Sequence, residues 1–526
     1  MKPLIFLITI TMLLLLTGFY ISPSFIVAVF GVFTSLLLLL LTLVFGPYFI
    51  ELMSTDNRPP VVGPILNQLI HFEKLYDYMT SIAKQHSTFR FIRPTHSEVY
   101  TADPQNVEYI LRTNFVNYTK GEYNTCIMKD LFGNGIFTVD GAKWRHQRKL
   151  ASFEFSTKVL RDFSSIIFKS NTAKLVKHIS LLAAAGNAMD LQDLLMKSTL
   201  DSMFKVGFGF DLDTLSGLDE ASNQFMKAFD DSNALVYWRF MDLLWKVKRY
   251  LSIGSETTLK DNIRIIDSFV YRLIHNKREQ MKNENHNRNK EDILSRFLME
   301  SENDPVNMND KYLRDISLSF VIAGKDTSAN TLTWFFYMLC KQPLVQEKVA
   351  QEVKKVTEAD DGTSIEDFGF KLTELVLDKM HYLHAAISET LRLYPAVPLD
   401  SKSAQKDDVL PDGFKIKKGD GVGYIPYPMG RMTYIWGDDA EEFRPERWLD
   451  VKGVFRPESP FKFTAFQGGP RICLGKEFAY RQMKILAAYL VYFFKFKLVD
   501  EGKDATYRTM FTLHMDEGLH LYAFLR

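Results

Sequence analysis

The strongest constraint in this sequence is an N-terminal segment without charge, because no Asp, Glu, Lys or Arg lies between Lys2 and Glu51. An apolar segment of about 20 residues is long enough to cross the roughly 30 Å hydrocarbon core of a bilayer. Pro23 divides the segment into two apolar stretches, Leu4 to Tyr20 and Phe25 to Phe45. Since proline interrupts a helix, the pattern predicts a membrane anchor that is either a single span or a helical hairpin.

The pattern predicts three segments along the chain. Residues 1–50 form the anchor, residues 51–64 form a proline-rich hinge, and residues 65–526 form one large catalytic domain. No small-residue cleavage site follows the first apolar stretch, so we expect the anchor to be retained. A hairpin would leave the domain on the cytosolic side of the membrane. The sequon at Asn117 would then stay unmodified.

Composition excludes several classes of protein. The chain has 526 residues, of which 46% are hydrophobic and 24% charged, as in ordinary globular proteins rather than disordered ones. The formal net charge of +1 gives no argument for nucleic acid as a partner. Three cysteines are too few for a disulfide framework or a four-thiolate metal site. The composition therefore indicates a large folded core with no nucleic-acid function.

The fold class predicted for the domain is mainly α with small β-sheets. Apolar residues recur every three to four positions in several long segments, which indicates helices. These segments are 163–182, 263–281, 313–340 and 477–496. Shorter extended patterns bounded by turn residues indicate strands. They are 89–92, 97–101 and part of 413–427. No glycine pattern typical of nucleotide binding is present, so we predict no nucleotide domain.

The segment from Phe466 to Gly475 is a glycine-rich loop around Cys473, and an amphipathic helix follows it near Lys476. Backbone N–H groups and the positive end of that helix would face the sulfur and favour its thiolate form. Such a thiolate can be a nucleophile or an axial metal ligand. No histidine base lies in the loop to support a nucleophile. The third alternative, a buried structural cysteine at a tight turn, is the interpretation that the loop alone favours.

Phe466, Gly469, Arg471, Cys473 and Gly475 together match F-x-x-G-x-R-x-C-x-G. This pattern resembles the haem-binding signature of the cytochrome P-450 family. The resemblance implies a cytochrome P-450 fold and haem b, iron protoporphyrin IX, as the cofactor. It makes Cys473 the proximal ligand of the haem iron, Arg471 a partner of a haem propionate, and Phe466 a contact of the haem and the sulfur. Thiolate ligation would favour cleavage of the O–O bond.

Two further motifs resemble the family's haem-binding and core residues. Trp144 and Arg148 match W-x-x-x-R and lie one helical turn apart, so both could reach the same propionate. Lys402 stands where relatives often place a propionate-binding arginine, and a lysine keeps the charge without the bidentate fork. Taken alone, the helix with Trp144 could instead be a basic surface helix.

A third motif is the pair Glu389 and Arg392, which match E-x-x-R. Taken alone, such a pair is more often a solvated helix face. In the family it is buried and completed by the arginine of a P-E-R segment, here Arg447. The resemblance therefore gives Glu389, Arg392 and Arg447 a structural role behind the cysteine loop.

Residues Ala323 to Ser328 place polar groups inside a long apolar helix. A threonine hydroxyl that bonds one turn back, together with a glycine, could open the helix into a notch. Taken alone, the hexapeptide is better interpreted as a small-residue packing seam. It resembles the family's A/G-G-x-D/E-T-T/S motif, with Ser328 in place of the second threonine. The resemblance makes Thr327 the residue that holds dioxygen and an ordered water, and Asp326 a residue that helps deliver protons.

The implied reaction is monooxygenation, with electrons imported from NADPH through a membrane-bound NADPH-cytochrome P-450 reductase. A basic docking patch for this partner is predicted from lysines and arginines flanking the signature motifs: Lys143, Arg145, Lys149, Lys462, Lys476 and Lys484. The implied location is the endoplasmic reticulum membrane, with the domain facing the cytosol.

Several segments resemble plant long-chain fatty-acid ω-hydroxylases: 129–141, 335–340 and 427–432. Residues lining the substrate cavity are expected in 123–137, 320–327 and 509–513. One alternative is a monooxygenase of another apolar substrate, a terpenoid or a sterol. The others are a redox-independent haem-thiolate isomerase or dehydratase and a non-catalytic haem-binding protein. Asp326 and Thr327 argue against the last two.

Overall fold

A computed structural model describes residues 23–156, 158–217, 219–283 and 292–526. The first predicted apolar stretch, Leu4 to Tyr20, lies outside these residues. Within them, no helix has both the length and the apolar character that crossing a membrane requires. The membrane anchor therefore stays a prediction.

The described residues are mainly helical, as predicted from the sequence. The α-helices are α1 (Pro23–Leu52), α2 (Leu66–Ile70), α3 (Leu75–Ala83), α4 (Pro104–Glu108), α5 (Gly121–Phe132), α6 (Gly141–Ser156), α7 (Lys158–Ala184), α8 (Leu191–Phe208), α9 (Glu220–Trp238), α10 (Trp245–Leu251), α11 (Ser255–Asn283), α12 (Ile293–Asn303), α13 (Asp310–Val321), α14 (Thr327–Lys341), α15 (Pro343–Thr357), α16 (Ile365–Lys371), α17 (Glu374–Lys379), α18 (His381–Leu393), α19 (Pro426–Met429), α20 (Thr433–Trp436) and α21 (Lys476–Phe493). Two π-helical turns, Tyr109–Thr113 and Ile322–Asp326, and several short 3-10 turns complete the helical part.

The strands form small sheets, and the largest has six strands in the order β1-β2-β3-β9-β6-β4. The strands are β1 (Val61–Pro64), β2 (Thr88–Ile92), β3 (Ser97–Thr101), β4 (Tyr118–Thr119), β5 (Met189–Asp190), β6 (Asp400–Ala404), β7 (Asp408–Val409), β8 (Lys415–Ile416), β9 (Gly421–Tyr424), β10 (Phe494–Leu498), β11 (Tyr507–Arg508), β12 (His514–Met515) and β13 (His520–Leu525). Strands β10, β13 and β5 form a second sheet, and β11-β12 and β7-β8 are two-stranded.

The proline-rich segment 51–64 lies against the domain over its second half. Strand β1 pairs in parallel with β2, which makes it the edge strand of the large sheet. Arg58 is buried and its guanidinium contacts Asp420 at 2.5 Å and Glu51 at 3.1 Å. Glu51 also accepts a hydrogen bond from Arg90 at 2.7 Å. Buried charge pairs of this kind fix the segment to the sheet, because separating them would leave unpaired charges in the interior.

One contiguous hydrophobic core packs the helices together. Asp190 caps the N-terminus of helix α8, since its carboxylate accepts from the N–H groups of Gln192 and Asp193. Gly209, in the left-handed conformation, caps the C-terminus. These are the usual signals for starting and stopping a helix. Helix α14 carries Trp334 and Phe335 into the core. The central helices therefore form a rigid support for the groups described next.

Candidate functional site

The cysteine loop is built from two 3-10 turns, Thr464–Phe466 and Gly469–Arg471, which precede helix α21. The backbone N–H of Cys473 donates to the carbonyl of Phe466 at 2.8 Å and closes the loop. Gly469 has a φ of 63°, and a Cβ there would collide with the carbonyl of Leu111. Only glycine satisfies both conditions, so this residue fixes how closely the loop approaches the segment that contains Leu111.

Cys473 is exposed in a loop that packs against α6. Even so, burial raises the pKa of its thiol, although the N–H of Gly475 and the charges of Arg148 and Lys476 oppose this. A group that is both accessible and surrounded by protein faces a cavity rather than the outer surface. Desolvation therefore opposes the thiolate form that the sequence predicts, whereas the N–H of Gly475 and the nearby cations favour it. A cationic metal at the sulfur would favour the thiolate.

Helix α6 brings Trp144 and Arg148 to the cysteine loop. Arg148 donates to the carbonyl of Ile472 at 2.7 Å, and its charge acts on Cys473. The guanidinium of Arg471 lies 4.5 Å from the centre of the Trp144 ring, and that of Arg148 lies 5.8 Å from it. Arg471 also pairs with Asp140 at 2.6 Å. The structure thus brings together the predicted haem contacts from α6 and from the loop.

Lys402 joins the same cluster from strand β6. Its buried ammonium lies 2.5 Å from Oδ2 of Asp400, and Lys120 lies 2.8 Å from Oδ1. Burial lowers the pKa of Lys402 to about 7, and Lys120 and Arg471 act in the same direction. Sequence reasoning missed Lys120, because strand β4 reaches β6 only through a pairing between distant residues.

The charges in this cluster fit a dianionic cofactor. Four cations, Lys120, Arg148, Lys402 and Arg471, act on one another or share carboxylate partners. They face two carboxylates, Asp140 and Asp400, so two positive charges remain unbalanced when Lys402 is in its ammonium form. The two propionates of haem carry the matching charge. With a sulfur donor facing the adjoining cavity, the donor set and the charge balance both fit haem.

The predicted notch is present in the long helix formed by α13 and α14. The α-helical pattern of α13 changes to a π-helical turn at Ile322–Asp326 and resumes in α14. Thr327 Oγ1 donates to the carbonyl of Ala323 at 2.7 Å, which is the bond one turn back that was expected. A Cβ on Gly324 would collide with Met203 of helix α8. Ala323 is exposed although it lies in mid-helix, so the helix borders an open space at this point.

Asp326 lies on another side of this helix and is buried. Its Oδ1 accepts from the ammonium of Lys325 at 2.8 Å, and its Oδ2 accepts from the amide of Asn233 at 3.2 Å. Burial raises the pKa of Asp326, and Lys325 only partly opposes this. A buried carboxyl group with a raised pKa holds a proton more readily than an ordinary aspartate does, which is a property of proton-transfer residues. Asn233 belongs to α9 and gave no signal in the sequence.

Glu389, Arg392 and Arg447 meet in the core behind the cysteine loop. Both oxygens of Glu389 accept from Arg392, at 2.7 and 2.8 Å, and Arg447 lies 3.4 Å from Oε1. Trp448 Nε1 and the backbone N–H of Arg444 complete the shell of donors at 2.9 Å. Neither Glu389 nor Arg392 has an accessible side chain. The arrangement is structural, since it joins α18 to the segment that leads to the loop.

An aromatic cluster surrounds Phe511 near the end of the chain. The ring of Phe511 lies 5.2 Å from Tyr237, 5.9 Å from Phe132 and 6.2 Å from Phe240, measured between ring centres. The hydroxyl of Tyr237 bonds to that of Tyr76, so its ring presents an apolar face. Phe132 and Phe511 belong to segments predicted to line the substrate cavity. Tyr237, in the last turn of α9, and Phe240, just after that helix, were not predicted.

The prediction of a basic surface patch is wrong for one of its six residues. Lys484 is buried and donates to the carbonyl of Leu377 at 2.9 Å, so it cannot take part in a surface patch. Its position in an amphipathic helix gave no sign of this carbonyl. Lys143, Arg145 and Lys149 are exposed on α6. Lys462 and Lys476 are partly exposed.

Comparison with known proteins identifies the family. A family model described as Cytochrome P450 matches residues 55–521. Cytochrome P450 704C1 of Pinus taeda is 53% identical over 475 residues, which cover 88% of this chain and 91% of that protein. Cytochrome P450 704B1 of Arabidopsis thaliana is 46% identical over 488 residues, covering 88% and 93%. Cytochrome P450 94A1 of Vicia sativa is 40% identical over 464 residues, covering 86% of each. With this coverage and the cysteine loop described above, the chain belongs to the cytochrome P450 family of haem-dependent monooxygenases.

Proposed function

We propose that this monooxygenase hydroxylates long-chain fatty acids at the terminal, ω carbon. The observation that carries the proposal is the aromatic cluster around Phe511, which offers ring surface to an extended apolar chain. Two residues further on, the carbonyl of Leu513 accepts a hydrogen bond from Trp334 of α14, the helix that begins at Thr327. Resemblance of the sequence to plant fatty-acid ω-hydroxylases supports the same substrate class. The substrate methyl end would lie at the cavity beside Cys473.

The side chains would act on the reaction in distinct ways. When bound, haem b supplies the activation of dioxygen. Cys473 would hold the cofactor through its sulfur, and Phe466 would pack against the haem and the sulfur. Arg148, Arg471, Lys402 and Lys120 would balance its propionates, with Trp144 between the two arginines. Thr327 already donates its proton to Ala323, so its oxygen can accept a hydrogen bond from a water in the notch. Asp326 would take up protons and release them toward that water.

The substrate class is tested by the change in iron spin state on binding. The purified haem-loaded protein would be titrated with saturated fatty acids of increasing length, and with a sterol and a terpenoid for comparison. We expect a spin-state shift for long-chain fatty acids, and NADPH oxidation with reductase that yields ω-hydroxylated product by mass spectrometry. A shift with the sterol or terpenoid and with no fatty acid would contradict the proposal. Conversion of substrate without NADPH would favour the isomerase or dehydratase.

The aromatic cluster has a matched control for this experiment. Phe511→Ala removes the central ring, and we expect weaker fatty-acid binding, since each aromatic pair contributes about 0.5–1.5 kcal/mol beyond its buried area. Phe524→Ala removes a phenylalanine on strand β13 that is half exposed, so its binding curve should match the parent's. Equal binding curves for both variants would remove the support that the cluster gives to the proposal.

We also propose that the protein is anchored in the endoplasmic reticulum membrane with its domain in the cytosol, where NADPH-cytochrome P-450 reductase would supply electrons. The uncharged N-terminal segment supports an anchor. The side chain of Asn117 is buried and donates to the carbonyl of Lys406 at 3.3 Å, which leaves the sequon inaccessible in the folded chain. Microsomes that carry the protein are expected to retain it after alkaline extraction and to leave the domain open to added protease. Release by alkali, or protection from protease, would count against this location.

A further inference from the structure

A buried group of three charges joins helix α9 to the π-helical turn before Thr327. The ammonium of Lys325 lies 2.5 Å from Oδ1 of Asp230 and 2.8 Å from Oδ1 of Asp326. The side chains of Lys325 and Asp326 are almost fully buried, whereas that of Asp230 is 31% exposed. Two carboxylates therefore share one ammonium. In their ordinary ionised forms the three groups carry one excess negative charge, which is costly in a buried position unless a proton balances it.

The remaining oxygen of Asp326 faces an amide that fits either protonation state. Asn233 Nδ2 donates to Asp326 Oδ2 at 3.2 Å, while its own Oδ1 is buried without a hydrogen-bond partner among the described residues. An amide carries donors on one atom and an acceptor on the other. Turned by half a rotation, Asn233 would accept a hydrogen bond from a protonated Oδ2. Asn233 Oδ1 would thus have a hydrogen-bond partner whenever Asp326 is protonated, and Nδ2 would have one whenever Asp326 is ionised.

Few other ionisable groups act on this cluster. From strand β12, His514 acts on Asp326 and Lys325, and burial lowers the pKa of His514 to about 4, so it is neutral at neutral pH. From α9, Phe229 places its ring 5.8 Å from the ammonium of Lys325. From α8, Thr199 donates its hydroxyl to the backbone carbonyl of Lys325 at 3.2 Å. Asp230 is therefore the charged partner that can change how strongly Lys325 holds Asp326.

We propose that Oδ2 of Asp326 is a buried proton site whose occupancy is set by Asp230 through the shared Lys325, with Asn233 accommodating both states. Asp230 and Asn233 are positioning residues for the acid. In each cycle the carboxylate of Asp326 binds one proton from solvent hydronium and becomes a carboxylic acid. It passes that proton to the water in the notch beside Thr327, which restores the carboxylate. Lys325 keeps its protons throughout. The inference rests on the role proposed above for Asp326 in proton delivery.

The pKa directions agree with this arrangement. Burial is the largest influence that raises the pKa of Asp326, and Asp230 adds to it while Lys325 opposes it. Although burial acts against its charge, the two carboxylates raise the pKa of Lys325, which therefore stays an ammonium. Removal of the Asp230 charge leaves Lys325 paired with Asp326 alone. The ionised form of Asp326 is then favoured, so its pKa falls.

The test is an infrared difference titration of the haem-loaded protein without substrate, which follows the carbonyl band of the protonated Asp326. The band is assigned to Asp326 if it is absent from the Asp326→Asn variant. We expect Asp230→Asn to lower the titration midpoint by about one pH unit. Asp230→Glu should restore the parent midpoint, because it keeps the charge. Asp231→Asn is the matched control, since it removes an equal charge from the next residue of α9, and its midpoint should equal the parent's.

The other variants make the outcome decisive. Asn233→Leu should move the band to higher frequency, because the carboxylic acid loses its hydrogen-bond acceptor. An unchanged frequency would remove Asn233 from the proposal. Equal midpoints for Asp230→Asn and the parent, or equal shifts for Asp230→Asn and Asp231→Asn, would overturn the role of Asp230. Asp230→Ala provides the same comparison if the asparagine variant does not fold. The titration uses no fatty acid or reductase, so its result is independent of the substrate proposal.

Discussion

Replacement of Cys473 by serine is expected to abolish both monooxygenase turnover and the strongly red-shifted Soret band that a thiolate-ligated, reduced haem shows with carbon monoxide. A serine hydroxyl has almost the same shape, so the loop closed by the Cys473 N–H should still form. It cannot supply a thiolate, and iron prefers the softer sulfur donor. The measurement is the carbon monoxide difference spectrum of the purified, reduced protein, together with NADPH-dependent product formation.

Cys126→Ser is the matched control for this prediction. Cys126 is also partly accessible, but it lies on α5 away from the loop. We expect this variant to keep the red-shifted band and its turnover. If Cys473→Ser retained the band, or if Cys126→Ser lost it, the assignment of Cys473 as the proximal ligand would be wrong.

Replacement of Glu389 by glutamine is expected to destabilise the protein by about 3–5 kcal/mol, because it leaves Arg392 as a buried cation without its carboxylate. Both oxygens of Glu389 are engaged, and four different residues donate to them. An amide can keep only part of this shell, since one of its two positions becomes a donor. The measurement is the free energy of unfolding in urea, with the fraction of haem-loaded protein recovered from expression as a second readout.

Glu347→Gln is the control on a salt bridge of the same type at the surface. Glu347 lies 2.7 Å from Arg526, and its side chain is 44% exposed. Exposed pairs contribute about 0–1 kcal/mol, so this variant should unfold close to the parent. A loss of less than about 1 kcal/mol in Glu389→Gln would show that the buried cluster does not support the fold in the way argued above.

The elements that carry the site could be predicted where local pattern decides structure. The periodicity of 313–340 predicted the long helix, and the resemblance of the polar residues within it to a family motif favoured the notch now seen at Ile322–Asp326. Where two patterns compete, the prediction failed. The helix predicted over 477–496 ends at Phe493, because Phe494, Phe496 and Leu498 are buried in alternation along strand β10. The two-residue apolar repeat of the strand follows directly on the helical repeat of α21, so the boundary between them gave no signal in the sequence.

The missing parts of the site depend on contacts between distant residues. Lys120 reaches Asp400 only because β4 pairs with β6. Asp230 and Asn233 reach Lys325 and Asp326 only because α9 packs beside the π-helical turn. Burial of Lys484 depends likewise on a carbonyl of another helix. No local pattern marks any of these residues, since each is an ordinary polar side chain on an amphipathic element.

Strand β1 sets the direction in which the chain leaves the domain. With its last residues paired to β2, and Arg58 held by Asp420 and Glu51, the connection has little freedom to swivel. The orientation of the domain relative to helix α1 is then fixed by a few backbone hydrogen bonds and by the ion pairs of Arg58 and Arg90 rather than by a flexible linker. Any surface that binds helix α1 would consequently lie next to the same face of the domain. A channel entrance on that face would then keep a fixed orientation relative to the surface.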